Sequence, residues 1–183
     1  MSREWVRVHG VVAALALLIA MRAPAQVAKS DVRMGALIVN VAPTGDVRSI
    51  RQALRLVARG GTIMVHAGTY RDSTIVVSIP VRIVGDGDAV LDGENVRQIM
   101  TIAADSVTVR GMHFENVGVA FTEDLAAIKV VRASACVIAQ NRIDNAFFGI
   151  YLQEASGCLI QGNDLHATHA RDASQVTGAA GAE

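Results

Sequence analysis

Met64 and His66 stand one residue apart, and a thioether beside an imidazole is a donor set that suits Cu(I). If Ile63 and Val65 face inward on a strand, both side chains project from its outer face, about 7 Å apart. Met112 and His113 repeat the pair of residue types, although Met112 falls at a turn position and His113 outside it. His166 and His169 follow at a spacing of three. The plain alternative for each is a solvated histidine beside an exposed methionine. Asp86, Asp88 and Asp92, with Asp144 further along, are the carboxylates that acid and base chemistry would need. Asp86, Asp88 and Asp92 each adjoin a glycine or lie one residue from it, the ordinary setting of a turn aspartate. No nucleophile and base can be placed together, so no catalytic residue is named and no enzyme activity is expected.

Cys136 and Cys158 are the only cysteines. They occupy equivalent positions of neighbouring repeats, about 4.8 Å apart by strand spacing, inside the range that permits a disulfide. Parallel Cβ vectors in a stacked column aim poorly for the required dihedral, so two buried thiols acting as small apolar fillers are expected.

These residues need elements to hold them. The 183-residue chain suits one ordinary domain, and its 17 basic and 17 acidic residues form no Lys/Arg-rich run of the kind a nucleic-acid binder carries. Apolar residues make up 51% but aromatic ones only 4%, so Val, Ile, Leu and Ala must fill the core. Arg3 and Arg7 precede the apolar run Val11 to Met21, and Ala23-Pro24-Ala25 supplies small residues at alternate positions. That is a cleavable secretory signal over residues 1–25. Its eleven apolar residues cover about 16 Å, roughly half a bilayer core. Losing Arg3, Arg7, Arg22 and Glu4 with it leaves 14 basic and 16 acidic residues on an exported chain that does not span the membrane.

Residues 26–43 read as a lead-in. Ile50, Ala53, Leu54 and Val57 then fall at i, i+3, i+4 and i+7, which predicts an amphipathic helix over Asp46 to Arg59. Thr44 or Asp46 would cap it and Gly60-Gly61 would end it. Beyond Gly61 the period becomes two, in strands of four or five residues divided by Gly, Asp and Asn. Segments starting at Val81, Val107, Cys136 and Cys158 superpose, with starts 26, 29 and 22 residues apart. Phe114, Ile143 and Leu165 lie seven positions after their segment starts, and Asn141 and Asn163 lie five after theirs.

Repeats of this length with short aliphatic strands predict an all-β, right-handed parallel β-helix over residues 44–169, with the helix as its N-terminal cap. Val81, Val107, Cys136 and Cys158 form one inward column, and Ile83, Val109, Ile138 and Ile160 another. Asn141 and Asn163 stack as an asparagine ladder that satisfies backbone groups at a bend. Residues 170–183 read as a disordered, polar, small-residue tail.

The stretch from Gly45-Asp46 through Gly60-Gly61-Thr62-Ile63-Met64-Val65-His66-Ala67-Gly68-Thr69-Tyr70, Ile83-Val84-Gly85-Asp86-Gly87 and Val90-Leu91-Asp92-Gly93 resembles the opening of NosD-like proteins. Asn141 to Leu152, followed by Ile160-Gln161-Gly162-Asn163, is similar to that family's repeated coil. The resemblance covers roughly residues 45–166. It implies a periplasmic, non-catalytic maturation factor for the copper enzyme nitrous oxide reductase, working beside the ABC transporter components NosF and NosY and helping to supply copper. Met64, His66, Met112 and His113 are the candidate copper ligands. The short tail implies a truncated N-terminal part of such a protein, with an uncapped last coil open to aggregation or proteolysis. The alternative reading is a β-helix that binds or cleaves polysaccharide. A stripe of aromatic and acidic residues on the coils would favour it, whereas an outer Met/His cluster would favour copper.

Overall fold

A computed structural model describes residues 35–120 and 122–167. The signal segment, the first half of the lead-in, His169 and the polar tail lie outside the described residues. The elements run β1 (Ala36–Val41), α1 (Ile50–Leu54), β2 (Val57–Tyr70), β3 (Ile75–Val77), β4 (Arg82–Asp92), β5 (Met100–Ile102), β6 (Thr108–Arg110), β7 (His113–Glu115), β8 (Ala126–Val131), β9 (Val137–Ala139), β10 (Arg142–Ala146), β11 (Phe148–Gln153), β12 (Leu159–Gln161) and β13 (Asp164–Ala167).

Every paired strand is parallel to its neighbour, which makes the chain the expected all-β parallel β-helix. One sheet stacks β1, β2 and β4 and then divides. The first part of β4 pairs with β6, which leads to β9 and β12, and its last part pairs with β7, which leads to β10 and β13. The second sheet runs β3, β5, β8 and β11. Three faces result, one formed by this second sheet and two by the divided one. β2 and β4 are thus each one continuous strand covering two faces, in the second and third coils, and these faces take separate strands from the fourth coil onward.

A single left-handed residue makes the later corners. Gly111, Gln140 and Gly162 occupy the fifth position of their repeats with φ of 66°, 54° and 62°. Gly85 holds that position in β4 without a corner, and a Cβ there would meet the Gly111 carbonyl oxygen at 2.1 Å. The close approach of two coils fixes glycine at 85.

The predicted columns are in register. Ile63, Ile83, Val109, Ile138 and Ile160 follow one another across the ladder, as do Tyr70, Leu91, Phe114, Ile143 and Leu165. The second sheet adds Ile75, Met100, Ile128 and Ile150. Burial is complete for Ile83, Val109 and Ile138 but ends at the last coil, where Ile160 is 42% exposed. Each fully buried Ile or Leu contributes about 2 kcal/mol, so these columns replace a globular core.

The helix departs from expectation. It spans Ile50–Leu54 instead of Asp46 to Arg59, because Val57 and the residues after it join the ladder. β1 lies in the segment read as lead-in, so among the described residues the solenoid already includes Ala36–Val41. Its partners shift from Ala36 with Val57 to Ile38 with Thr62, and Gly60, at φ 75°, is a left-handed residue within that irregularity instead of the end of a helix. Val57 pairs with Ala36, Gly60 N–H donates to the Pro80 carbonyl at 2.7 Å, and Thr62 pairs on both sides, so the strand takes this stretch from the helix. The cap is Ser49 instead of Thr44 or Asp46, and its side chain accepts from the Gln52 N–H. Asp72 adds a second cap from the next coil, accepting the Ile50 N–H at 2.9 Å. The buried Ile50 and Ala53 carry the apolar stripe onto the first coil. Asp72→Ala is therefore expected to lower stability by about 1 kcal/mol, read as a shift in the urea midpoint. An unchanged midpoint would show that Ser49 alone suffices.

Candidate functional site

The strand register carries His66 onto Asp86 and Met64 onto Asn40. Met64 and His66 are half-buried on the outer face while Ile63 and Val65 are buried, so the alternation places both outward as expected. The imidazole is held at both nitrogens, Nδ1 at 2.9 Å from Asp86 Oδ2 and Nε2 at 3.1 Å from Asn40 Oδ1. Beneath it the Tyr70 hydroxyl sits 2.7 Å from the His66 carbonyl oxygen and 3.1 Å from that of Val41. Asp86 accepting the Nδ1 proton sets the tautomer that leaves Nε2 with a lone pair, the arrangement in which a carboxylate orients a metal-binding imidazole. The Asn40 amide then presents its N–H to that lone pair after a half-turn about its own axis.

Met112 and His113 do not come together. Met112 is 1% exposed, and its backbone N–H donates to Asn141 Oδ1 at 3.0 Å. Its side chain fills the core at the position that Asn141 and Asn163 take in the next coils. His113 instead belongs to a row of alternating acids and imidazoles across the coils. Its Nδ1 lies 3.4 Å from Asp88 Oδ1 and its Nε2 2.7 Å from Asp144 Oδ2, while His166 Nδ1 lies 2.7 Å from Asp144 Oδ1. Arg142 Nε donates to Asp144 Oδ2 at 2.6 Å. Each Asp144 oxygen thus faces a different ring, so the carboxylate separates the imidazoles instead of sharing an ion with them. Among the described residues no group of three or more His, Cys, Asp or Glu side chains could hold a metal ion.

Burial by itself would raise the Asp144 pKa, but hydrogen bonds from Arg142, His166 and His113 outweigh it and hold the carboxyl below its ordinary value. A depressed folded value means stability that is present above the unfolded pKa of about 3.9 and lost as pH falls through the folded one. Asp144→Asn is accordingly expected to destabilise at neutral pH, with the gap from the unsubstituted chain closing below about pH 4. Urea midpoints at both pH values read this, and a gap that does not change with pH would assign Asp144 a packing role only.

Of the other acids, Asp92 is a corner residue. It is 7% exposed and accepts from the Glu94 N–H at 2.9 Å, Asn116 Nδ2 at 3.0 Å and Arg71 Nε at 3.1 Å. This is the turn role its neighbouring Gly93 predicts. The expected asparagine ladder is present, since Asn141 Nδ2 donates to Asn163 Oδ1 at 3.0 Å and to the Val109 carbonyl at 3.1 Å. A second, unexpected ladder stands at another corner. Asn145 Nδ2 lies 2.9 Å from both Asn95 Oδ1 and Asn116 Oδ1, and all three asparagines have positive φ. Its signal was present, because Asn116 and Asn145 each follow the inward residue of their coil by two.

The cysteines overturn the expectation of two thiols. Cys136 and Cys158 form a disulfide with Cα atoms 4.5 Å apart. Parallel Cβ vectors do not forbid the bond, because rotation about χ1 tilts each sulfur along the stacking axis toward the other.

Compared with protein-family models, with curated proteins and with solved structures, the chain has no match, so the fold assignment rests on the ladder itself.

Proposed function

We propose that this chain is an exported, non-catalytic accessory protein that handles Cu(I) for the maturation of nitrous oxide reductase beside the transporter components NosF and NosY. The observation that carries the reading is His66, oriented by Asp86 on the same outer face as the Met64 thioether. Thioether and imidazole are donors that suit Cu(I), and Asp86 fixes the tautomer and orientation of the ring. The partners and the periplasmic location come from the resemblance of the coil motifs and from the signal pattern at residues 1–25.

Titration of the chain with Cu(I) against a competing chelator tests the reading. One equivalent is expected to bind, with Met64→Leu and His66→Ala each abolishing it. Asp86→Asn, which keeps the ring in place but weakens its orientation, is expected to cost about tenfold in affinity. Met112→Leu should leave binding unchanged, since that thioether lies in the core. A folded chain that takes up no Cu(I), or that binds it equally well without His66, would sink the proposal.

A further inference from the structure

The second sheet presents a different surface. Its outward residues fall in one column by register, Val76 beside Thr101, Thr101 beside Lys129 and Lys129 beside Tyr151. Between β7 and β8, Ala120 and Thr122 to Leu125 wall two adjoining cavities, of about 310 and 530 Å³. Gln98, Thr122 and Glu123 line both, so the two form one groove that crosses successive coils. Lys129, Tyr151 and Gln153 close the end nearer the last coil.

The chemistry of this groove is specific. Lys129 Nζ lies 5.1 Å from the Tyr151 ring centroid, and Lys129 has no carboxylate within ion-pair distance among the described residues. The nearby Asp124 carboxylate pushes the Tyr151 pKa up. The ring also packs edge-on against Phe148, with centroids 5.6 Å apart. The Tyr151 ring, two primary amides, the hydroxyls of Thr74 and Thr122, the cations of Arg97 and Lys129 and the carboxylates of Glu123 and Asp124 offer donors and acceptors side by side, with no excess of either charge. Polyhydroxylated chains need this mixture, because every sugar hydroxyl both gives and takes a hydrogen bond while the ring faces are apolar. A phosphate-rich polymer would need an excess of positive charge, and an apolar peptide would need an apolar floor. The groove has neither.

We propose that this groove is a binding site for an extended, uncharged glycan chain laid across successive coils, with Tyr151 packing on a sugar ring and Gln98, Lys129 and Gln153 bonding its hydroxyls. The site is independent of the Met64 and His66 surface. Calorimetric titration of the full chain with cellohexaose, xylohexaose and hexagalacturonate tests it. At least one neutral hexasaccharide is expected to bind saturably, and more tightly than hexagalacturonate. Tyr151→Ala and Gln153→Ala should each weaken that binding about tenfold or more, Tyr151→Phe less so, and Met64→Leu not at all. Gln153 is exposed, so its substitution leaves the core intact. Absence of binding to all three sugars, a preference for hexagalacturonate, or affinity undiminished in both Tyr151→Ala and Gln153→Ala would overturn the assignment.

Discussion

Replacing Asn141 by Ala is expected to lower the unfolding free energy by about 4 kcal/mol, the largest loss from any single polar side chain of this fold. Asn141 is 1% exposed and lies at a corner between two coils. Its Oδ1 accepts the Met112 N–H at 3.0 Å, and its Nδ2 donates to the Val109 carbonyl at 3.1 Å. Truncation removes both partners at once and leaves a buried backbone donor and a buried acceptor unpaired. Each orphan costs about 1–3 kcal/mol, and a methyl group is too small to exclude the cost by filling the gap. Asn141→Asp still accepts from Met112 but turns a buried carboxylate oxygen on the Val109 carbonyl and Asn163 Oδ1, with no N–H for either. Urea unfolding followed by circular dichroism should therefore rank the variants as unsubstituted chain, Ala, Asp, in falling stability at neutral pH. Asn163→Ala should cost less than Asn141→Ala, since Asn163 is half-buried. A loss below about 1 kcal/mol for Asn141→Ala would mean that water enters the corner and takes over both bonds.

Removal of the disulfide is the second large effect. Cys136 and Cys158 close a loop across a sequence separation of 22, for which chain entropy gives about 3 kcal/mol. The bond joins the last described coil to the one before it, where apolar cover has already thinned: Leu159, Ile160 and Leu165 are 51%, 42% and 49% exposed. The loss is therefore expected first in β12 and β13. Reduction, or Cys136→Ala with Cys158→Ala, should raise hydrogen exchange across Leu159–Ala167 while β4, β6 and β9 remain protected. The global midpoint then falls by a smaller amount than the full entropic figure, because the frayed coil unfolds ahead of the rest. Equal exchange with and without the bond would show that the ladder alone holds this coil.

Much of the fold was legible because a solenoid repeats one local instruction. Val81, Val107 and Cys136 match because each precedes a strand whose alternate residues face the same interior, and the ladder pairs the residues that follow them, Arg82 with Thr108 and Thr108 with Val137. Asn141 and Asn163 could be matched for the same reason. The helix was overextended because Ile50, Ala53, Leu54 and Val57 satisfy a helical stripe whether or not Val57 lies in it. Met64 and His66 were placed outward correctly, since two-residue alternation decides which face a side chain takes. Met112 was harder, because it sits at a corner where alternation breaks.

The candidate surfaces were less legible than the fold. His113 meets Asp144 across 31 positions of sequence, and Tyr151 meets Lys129 across one whole coil. Neither pairing leaves a local pattern. The sequence by itself determined the coil: its strand period, its inward aliphatic columns and the asparagines at its bends, all set by interactions within a few residues or by repetition of them. Only the tertiary structure decided which outward side chains become neighbours, that the cysteines join, and where the wall of the groove stands. Those outcomes depend on the register between coils and on the length of each turn, and register is fixed by the stacking of the whole column, not by any one segment of it.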